Sequence, residues 1–357
     1  MQQVTVFLIV LFIAIATFFA WQHLHPYSLV SPIATHSPPP SPTIYPKVTQ
    51  TVDTLFVPYW SLEKSTKQDT YKTVVYFGIA PSEDGIDHND AGYKNLLKFN
   101  TTFPGGKHLL TVRMIDTKLN SKVLDSKSLQ KKITQESIAI ARNNGFDGVV
   151  LDFEISALAF PSVIKSITSF YQDFGKQVQA NNLSFAVTLY GDTFYRARPY
   201  DVKTITKEAD TVFIMAYDFH KANGTPGPNF PMYGKQTYGY DLQTMVGDFI
   251  HAVALQKLVV TFGLFGYDWQ LSSNGQSLGT AKALSTNEMQ QTFVPCPFTA
   301  CTSGRDKNSL EMQTTYRDAE NHRHVVWYED VTSALKKKEL LKQQGISSFG
   351  YWAYSYF

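Results

Sequence analysis

A chain of 357 residues, 43% of them hydrophobic, is long enough to bury a sizeable core in one large domain. Its formal net charge of +2 gives no field that would gather nucleic acid or an acidic polymer, so nothing in the overall charge suggests either as a partner. A terminal apolar run and a proline-rich stretch set the first 50 residues apart from the rest.

Val4 to Trp21 is apolar apart from Thr5 and Thr17, and no Lys or Arg precedes it. Residues 1–21 therefore read as a transmembrane anchor or as a signal peptide. Ala14-Ile15-Ala16 offers a cleavage site for the second case. Either way the bulk of the chain is expected outside the cytoplasm, membrane-anchored or, after cleavage, secreted. Residues 22–50 carry Pro38, Pro39, Pro40, Pro42 and Pro46 among Ser and Thr, the composition of an extended linker. The folded domain is expected over 52–357.

Eight short β-type runs follow: Thr54–Tyr59, Thr73–Ala80, His108–Ile115, Gly148–Glu154, Ser184–Leu189, Thr211–Tyr217, Leu258–Leu264 and Ser347–Trp352. Apolar residues at three- and four-residue spacing predict helices over Leu129–Asn143 and Ser162–Ala180, with Asp241–Ala254 and Val331–Gln344 as further candidates. Alternating strands and helices, eight strands in all, predict a (β/α)8 TIM barrel. Residues 61–72 are too polar and short to predict a first helix, and no closing helix is legible after the eighth strand. The interval 265–330 is an insertion after strand seven. Met312–Arg317 and His324–Tyr328, around a polar turn, predict a β-hairpin in it. Cys296 and Cys301 read as a small disulfide loop, given an exported chain. His220, His322 and His324 lack ligand spacing, so no metal site is expected.

The fourth strand carries the chemistry. Side chains alternate along a strand, so Val150, Asp152 and Glu154 share one face. Two carboxylates that close repel, which raises at least one pKa and provides a proton donor near neutral pH. Gly145-Phe-Asp-Gly-Val-Val-Leu-Asp-Phe-Glu154 resembles the D-G-x-D-x-D-x-E signature of glycoside hydrolase family 18, the chitinase-like enzymes. Asp147, Gly148, Asp152 and Glu154 match it, and Val150 replaces the middle Asp. The sixth strand supplies Met215, Tyr217 and Asp218 in a Met-x-Tyr-Asp string that resembles the same family. The strand-eight end Phe349-Gly350-Tyr351-Trp352 resembles its sugar-site floor. Segments 227–231, 266–269 and 326–330 look like its spore-cortex and cell-wall branch.

The resemblance implies a retaining, substrate-assisted hydrolysis of β-1,4 bonds in N-acetylglucosamine-containing glycans, chitin or peptidoglycan, with no cofactor. It implies Glu154, Asp152 and Tyr217 as catalytic, and Asp218, Trp352, Met215, Asp147 and Tyr267 as substrate-binding. The high aromatic share, 14%, suits stacking on sugar rings as well as an ordinary core. Val150 leaves Asp152 without a proton-sharing neighbour, so weaker or pH-shifted activity is expected. Two alternatives remain: a non-catalytic lectin on the same barrel, and a hydrolase whose second carboxylate, Asp192, follows strand five.

Overall fold

The computed structural model describes residues 51–64 and 71–357. The predicted segment 1–21 and linker 22–50 lie outside them. Among the described residues no helix is long and apolar enough to cross a membrane.

Eight parallel strands close into a barrel: β1 (Val52–Pro58), β2 (Thr73–Ile79), β3 (Lys107–Met114), β4 (Gly148–Phe153), β5 (Ser184–Tyr190), β6 (Thr211–Ala216), β7 (Leu258–Gly263) and β8 (Ser348–Trp352). Each pairs with its chain neighbour, and β8 pairs with β1 to close the ring. All eight predicted strands are present, within a residue or two at their ends.

Outward-facing strand residues such as Val149, Leu151 and Phe153 pack under the helices in the main core. Inward-facing Phe56, Val75, Leu109, Val150, Ala186, Phe213 and Val259 fill the barrel itself. The period-two alternation thus becomes two cores, one inside the cylinder and one between cylinder and helices.

Among the described residues the helices longer than four residues are α1 (Leu96–Thr102), α2 (Thr117–Asp125), α3 (Lys127–Asn143), α4 (Pro161–Ala180), α5 (Val202–Glu208), α6 (Leu242–Ala252), α7 (Thr286–Phe293) and α8 (Val331–Lys342). The four predicted helices correspond to α3, α4, α6 and α8. Helix α2 has a polar face and no long apolar stripe. Its Asp116 cap, which accepts from the N–H groups of Lys118 and Leu119 at 2.8 and 3.0 Å, is what fixes its start.

The insertion after β7 is larger than the predicted hairpin. It is a five-stranded antiparallel sheet with Arg323–Tyr328 at its centre and Phe265–Leu271 second from one edge, paired to Lys282–Ser285 on one side and Arg323–Tyr328 on the other. Met312–Arg317 and Thr299–Arg305 complete it. Cys296 and Cys301 are joined in a disulfide beside it.

Candidate active site

The end of β4 is pinned before any substrate arrives. Glu154 N–H continues the ladder to Met114 O at 2.8 Å. Buried Asn120, from α2, donates to the carbonyls of Met114 and Glu154 at 2.7 and 2.6 Å. Tyr200 donates to Phe153 O at 2.8 Å. The side chains of Asp152 and Glu154 therefore enter the barrel mouth from a rigid backbone.

That mouth is a cleft of about 290 Å³. Asp152, Glu154, Met215, Tyr217, Asp218 and Trp352 all line it, so six of the eight predicted site residues converge there. Trp352 stands against Phe77 (ring centroids 4.8 Å apart, nearly perpendicular), Trp60 (6.2 Å) and Tyr217 (6.3 Å). These rings offer an apolar plate of the kind that stacks on a pyranose face. Gly263 is needed beside it: a Cβ there would come within 2.7 Å of Tyr217 Cβ.

Two predicted residues sit elsewhere. Asp147 precedes β4, at the opposite end of the strand from the cleft, and accepts from His108 N–H at 2.7 Å. It ties β3 to β4 and does not line the cleft. Tyr267 does not line the cleft; its hydroxyl donates to Asp218 Oδ1 at 2.6 Å, so it acts through Asp218. Asp192, the alternative carboxylate, is buried and held by Arg198 and Arg196, and it too lies off the cleft.

The electrostatics follow from burial. Asp152 is 1% exposed, and burial first, the neighbouring Glu154 second, push its pKa up to about 8. Thr188 donates to its Oδ1 and Arg113, its neighbour on β3, opposes the rise. Glu154 is also raised, chiefly by burial, while the hydroxyl of Tyr190, 2.5 Å from Oε2, pulls it back. Desolvation, rather than the mutual repulsion expected from the spacing, is the larger cause of both shifts. Burial holds the Tyr217 phenol well above its ordinary value, so it stays a donor.

Val150 lies in the barrel interior among Phe56, Val75 and Leu109, and Thr188 is the hydroxyl bonded to Asp152. Thr188, Tyr190 and Trp60 are site residues that sequence reasoning missed. Trp60 had a signal: an exposed aromatic (44%) just after a strand end. Asn229 had none. Its side chain accepts from Asp218 N–H at 2.7 Å and donates to Gly263 O and Phe265 O at 3.0 and 3.2 Å, locking the rim of β6 to the end of β7.

Among the described residues, Asp318, Glu320 and His322 could offer one cation three ligand atoms, all within 4.8 Å of one another. They sit at the hairpin turn, none lines the cleft, and His322 Nδ1 lies 3.0 Å from Asp318 Oδ2.

A parallel eight-stranded barrel with an acid pair at the end of β4 and an aromatic plate at the end of β8 defines a class of sugar-cleaving protein. The family model "Glycosyl hydrolases family 18" matches residues 46–356, and the chain belongs to that family. The chain is 25% identical over 238 residues to the cortical fragment-lytic enzyme of Bacillus subtilis, covering 64% of this chain and 51% of that protein. It is 24% identical over 296 residues to chitotriosidase-1 of Mus musculus, covering 75% and 62%. The chain spans about half to two thirds of the length of the first curated relatives it matches. The class V chitinase of Nicotiana tobaccum has the same fold, with a TM-score of 0.72 at 15% identity, covering 86% of this chain and 95% of that one. A mutant of that chitinase has been solved in complex with NAG4.

Proposed function

We propose that this chain hydrolyses β-1,4 links in N-acetylglucosamine-containing glycans with net retention, the substrate's own N-acetyl group acting as nucleophile. The observation that carries this is the placing of Glu154 and Asp152 two residues apart on one strand. Side chains so placed project together, about 7 Å apart along the backbone, and cannot flank a bond from opposite sides. The wall formed by Phe77, Trp60 and Trp352 is aromatic. That suits substrate assistance rather than two opposed carboxylates.

Glu154, protonated, gives its proton to the leaving oxygen. The acetamido oxygen attacks the anomeric carbon, and the bond to the leaving sugar breaks. Asp152, in its ionised form, accepts from the acetamido N–H and balances the positive charge of the oxazolinium. Tyr217 donates to the acetamido oxygen, Asp218 holds the ring and Trp352 stacks beneath it. Glu154, now a carboxylate, takes a proton from water as the water opens the intermediate, and the acid is restored.

The relatives named for cortical fragments favour peptidoglycan over chitin as the polymer. Incubation with both polymers and analysis of the reducing ends tests this; release of N-acetylglucosamine ends from peptidoglycan is expected. Binding of both polymers without turnover would instead make the protein a lectin. Export through residues 1–21, with 22–50 as a spacer, belongs to the same proposal, and the N-terminal sequence of the mature protein checks it. Val150→Asp restores the family's middle acid, and its pH–rate profile is expected to differ from wild type.

A further inference from the structure

A second cavity, of 260 Å³, opens between the loops that follow β5 and β6. Its walls include Tyr195, Arg196, Phe219, His220, Lys221 and Tyr238. The cleft is lined by three carboxylates and no cation; this cavity is lined by two cations and no carboxylate.

Lys221 stands at the partition between the two. Its ammonium lies 5.4 Å from the Tyr190 ring centroid, and Tyr190 holds Glu154. Its charge lowers the pKa of both Glu154 and Asp218. The arginines nearby are already engaged. Arg198 grips Asp192 with two nitrogens, and Arg196 lies 3.2 Å from the same carboxylate while donating to Phe219 O. None of the ion pairs among the described residues engages Lys221. His220 bonds Pro228 O through Nδ1 at 2.7 Å, and burial lowers its pKa, so it adds a polar wall and no charge at neutral pH.

The general acid must stand beside the leaving oxygen. Groups reached from Glu154 through Tyr190 therefore flank the leaving sugar. We propose that this cavity is a subsite for the leaving sugar that takes a carboxylate-bearing substituent, with Lys221 as its counter-ion. A half-buried ammonium that no direct ion pair among the described residues engages gains most from an anionic ligand, through a charge-assisted hydrogen bond. The substrate class this selects is an acidic glycan, one in which the leaving hexosamine carries a 3-O-lactyl acid, rather than a neutral homopolymer. The inference rests on the glycosidase reading above and names the substrate of that same site.

The test uses wild type, Lys221→Met and Lys221→Arg on four probes. These are the neutral N-acetylglucosamine tetramer, the alternating tetramer with free lactyl acid, its carboxamide, and the form whose lactyl group carries a short acidic peptide. Wild type is expected to show kcat/KM at least about tenfold higher on an acid-bearing form than on the carboxamide, the size of one hydrogen bond to a charged group. Lys221→Met should bring that ratio below about twofold, Lys221→Arg should keep it, and added salt should shrink it. Preference for the free lactyl acid, or only for the peptide-bearing form, supports the subsite and says where the carboxylate sits. Equal rates on acid and carboxamide, or an unchanged ratio in Lys221→Met, overturn it while leaving the glycosidase reading intact. Failure of wild type to hydrolyse any probe sinks that reading, and the inference with it.

Discussion

Two pairs of buried carboxylates can be set side by side in this protein. Asp152 and Glu154 are met by the hydroxyls of Thr188 and Tyr190. Glu311 and Glu329 share a lysine: Lys337 Nζ lies 2.7 Å from Glu311 Oε1, contacts Glu329 Oε2, and donates to Phe230 O at 2.7 Å. Lys337 is 0% exposed, and although burial works against its charge, the two glutamates outweigh that and raise its pKa. Burial pushes Glu329 up to about 8, while the Lys337 ammonium beside it works against that rise. Neutral donors leave a proton free to move; a buried ammonium fixes it in place. The first pair can do acid–base work, and the second can only hold structure.

The second pair nevertheless stands behind the first. Glu311 accepts from the N–H groups of Asn229 and Phe230 at 2.5 and 2.8 Å. Asn229 in turn sets Asp218 at the rim of the cleft. The insertion, helix α8 and the sugar-facing rim are tied together through this one cluster.

The sharpest test separates the two kinds of pair. Glu154→Gln should lower kcat by about 10²–10⁴, the usual contribution of a general acid, with thermal stability unchanged or raised. Lys337→Met should do the reverse and destabilise the fold by about 3–5 kcal/mol in chemical denaturation, because it strands buried charge. If each variant damaged both properties equally, the division of labour would be wrong.

Tyr190→Phe removes the donor that pulls Glu154 down. Its kcat should fall about tenfold, the worth of one hydrogen bond to a charged group, and the alkaline limb of its pH–rate profile should move to higher pH. A profile identical to wild type would show that the hydroxyl does not tune the acid.

The smallest effect concerns stability. The folded pKa of Asp152 is raised to about 8, above its ordinary value of 3.8, so the folded chain binds that proton more tightly than the unfolded chain. This contribution is full below the unfolded value and lost as pH rises toward 8. Asp152→Asn removes the titration, so its Tm relative to wild type should climb by about 2–4 °C for each kcal/mol of stability that wild type loses between pH 5 and 8. A constant gap across that range would mean Asp152 is ionised throughout.

Much of the barrel was legible because strand alternation is local. The run ending in Glu154 placed both acids on the inner face without any knowledge of neighbouring strands. The Phe213, Met215, Tyr217 alternation did the same for β6, and all three line the cleft. Asp147 falls away from the cleft because a matching letter in a string says nothing about which end of the barrel it reaches, and it precedes the six-residue strand. Helix α2 and the outer strands of the insertion stayed hidden, since a cap and a polar edge carry little periodic signal.

By itself, then, the amino-acid order determined the eight strands, their inward and outward faces, and the pairing of two acids at one strand end, since each depends on neighbours in sequence. Tertiary structure alone decided which hydroxyls meet those acids, which lysine stands between Glu311 and Glu329, and that no ion pair among the described residues engages Lys221. Thr188 and Tyr190 come from the next strand, 36 residues along the chain, and Lys337 from a helix 26 residues past Glu311. Desolvation, the largest cause of the raised acid pKa values, exists only once the barrel has closed over them.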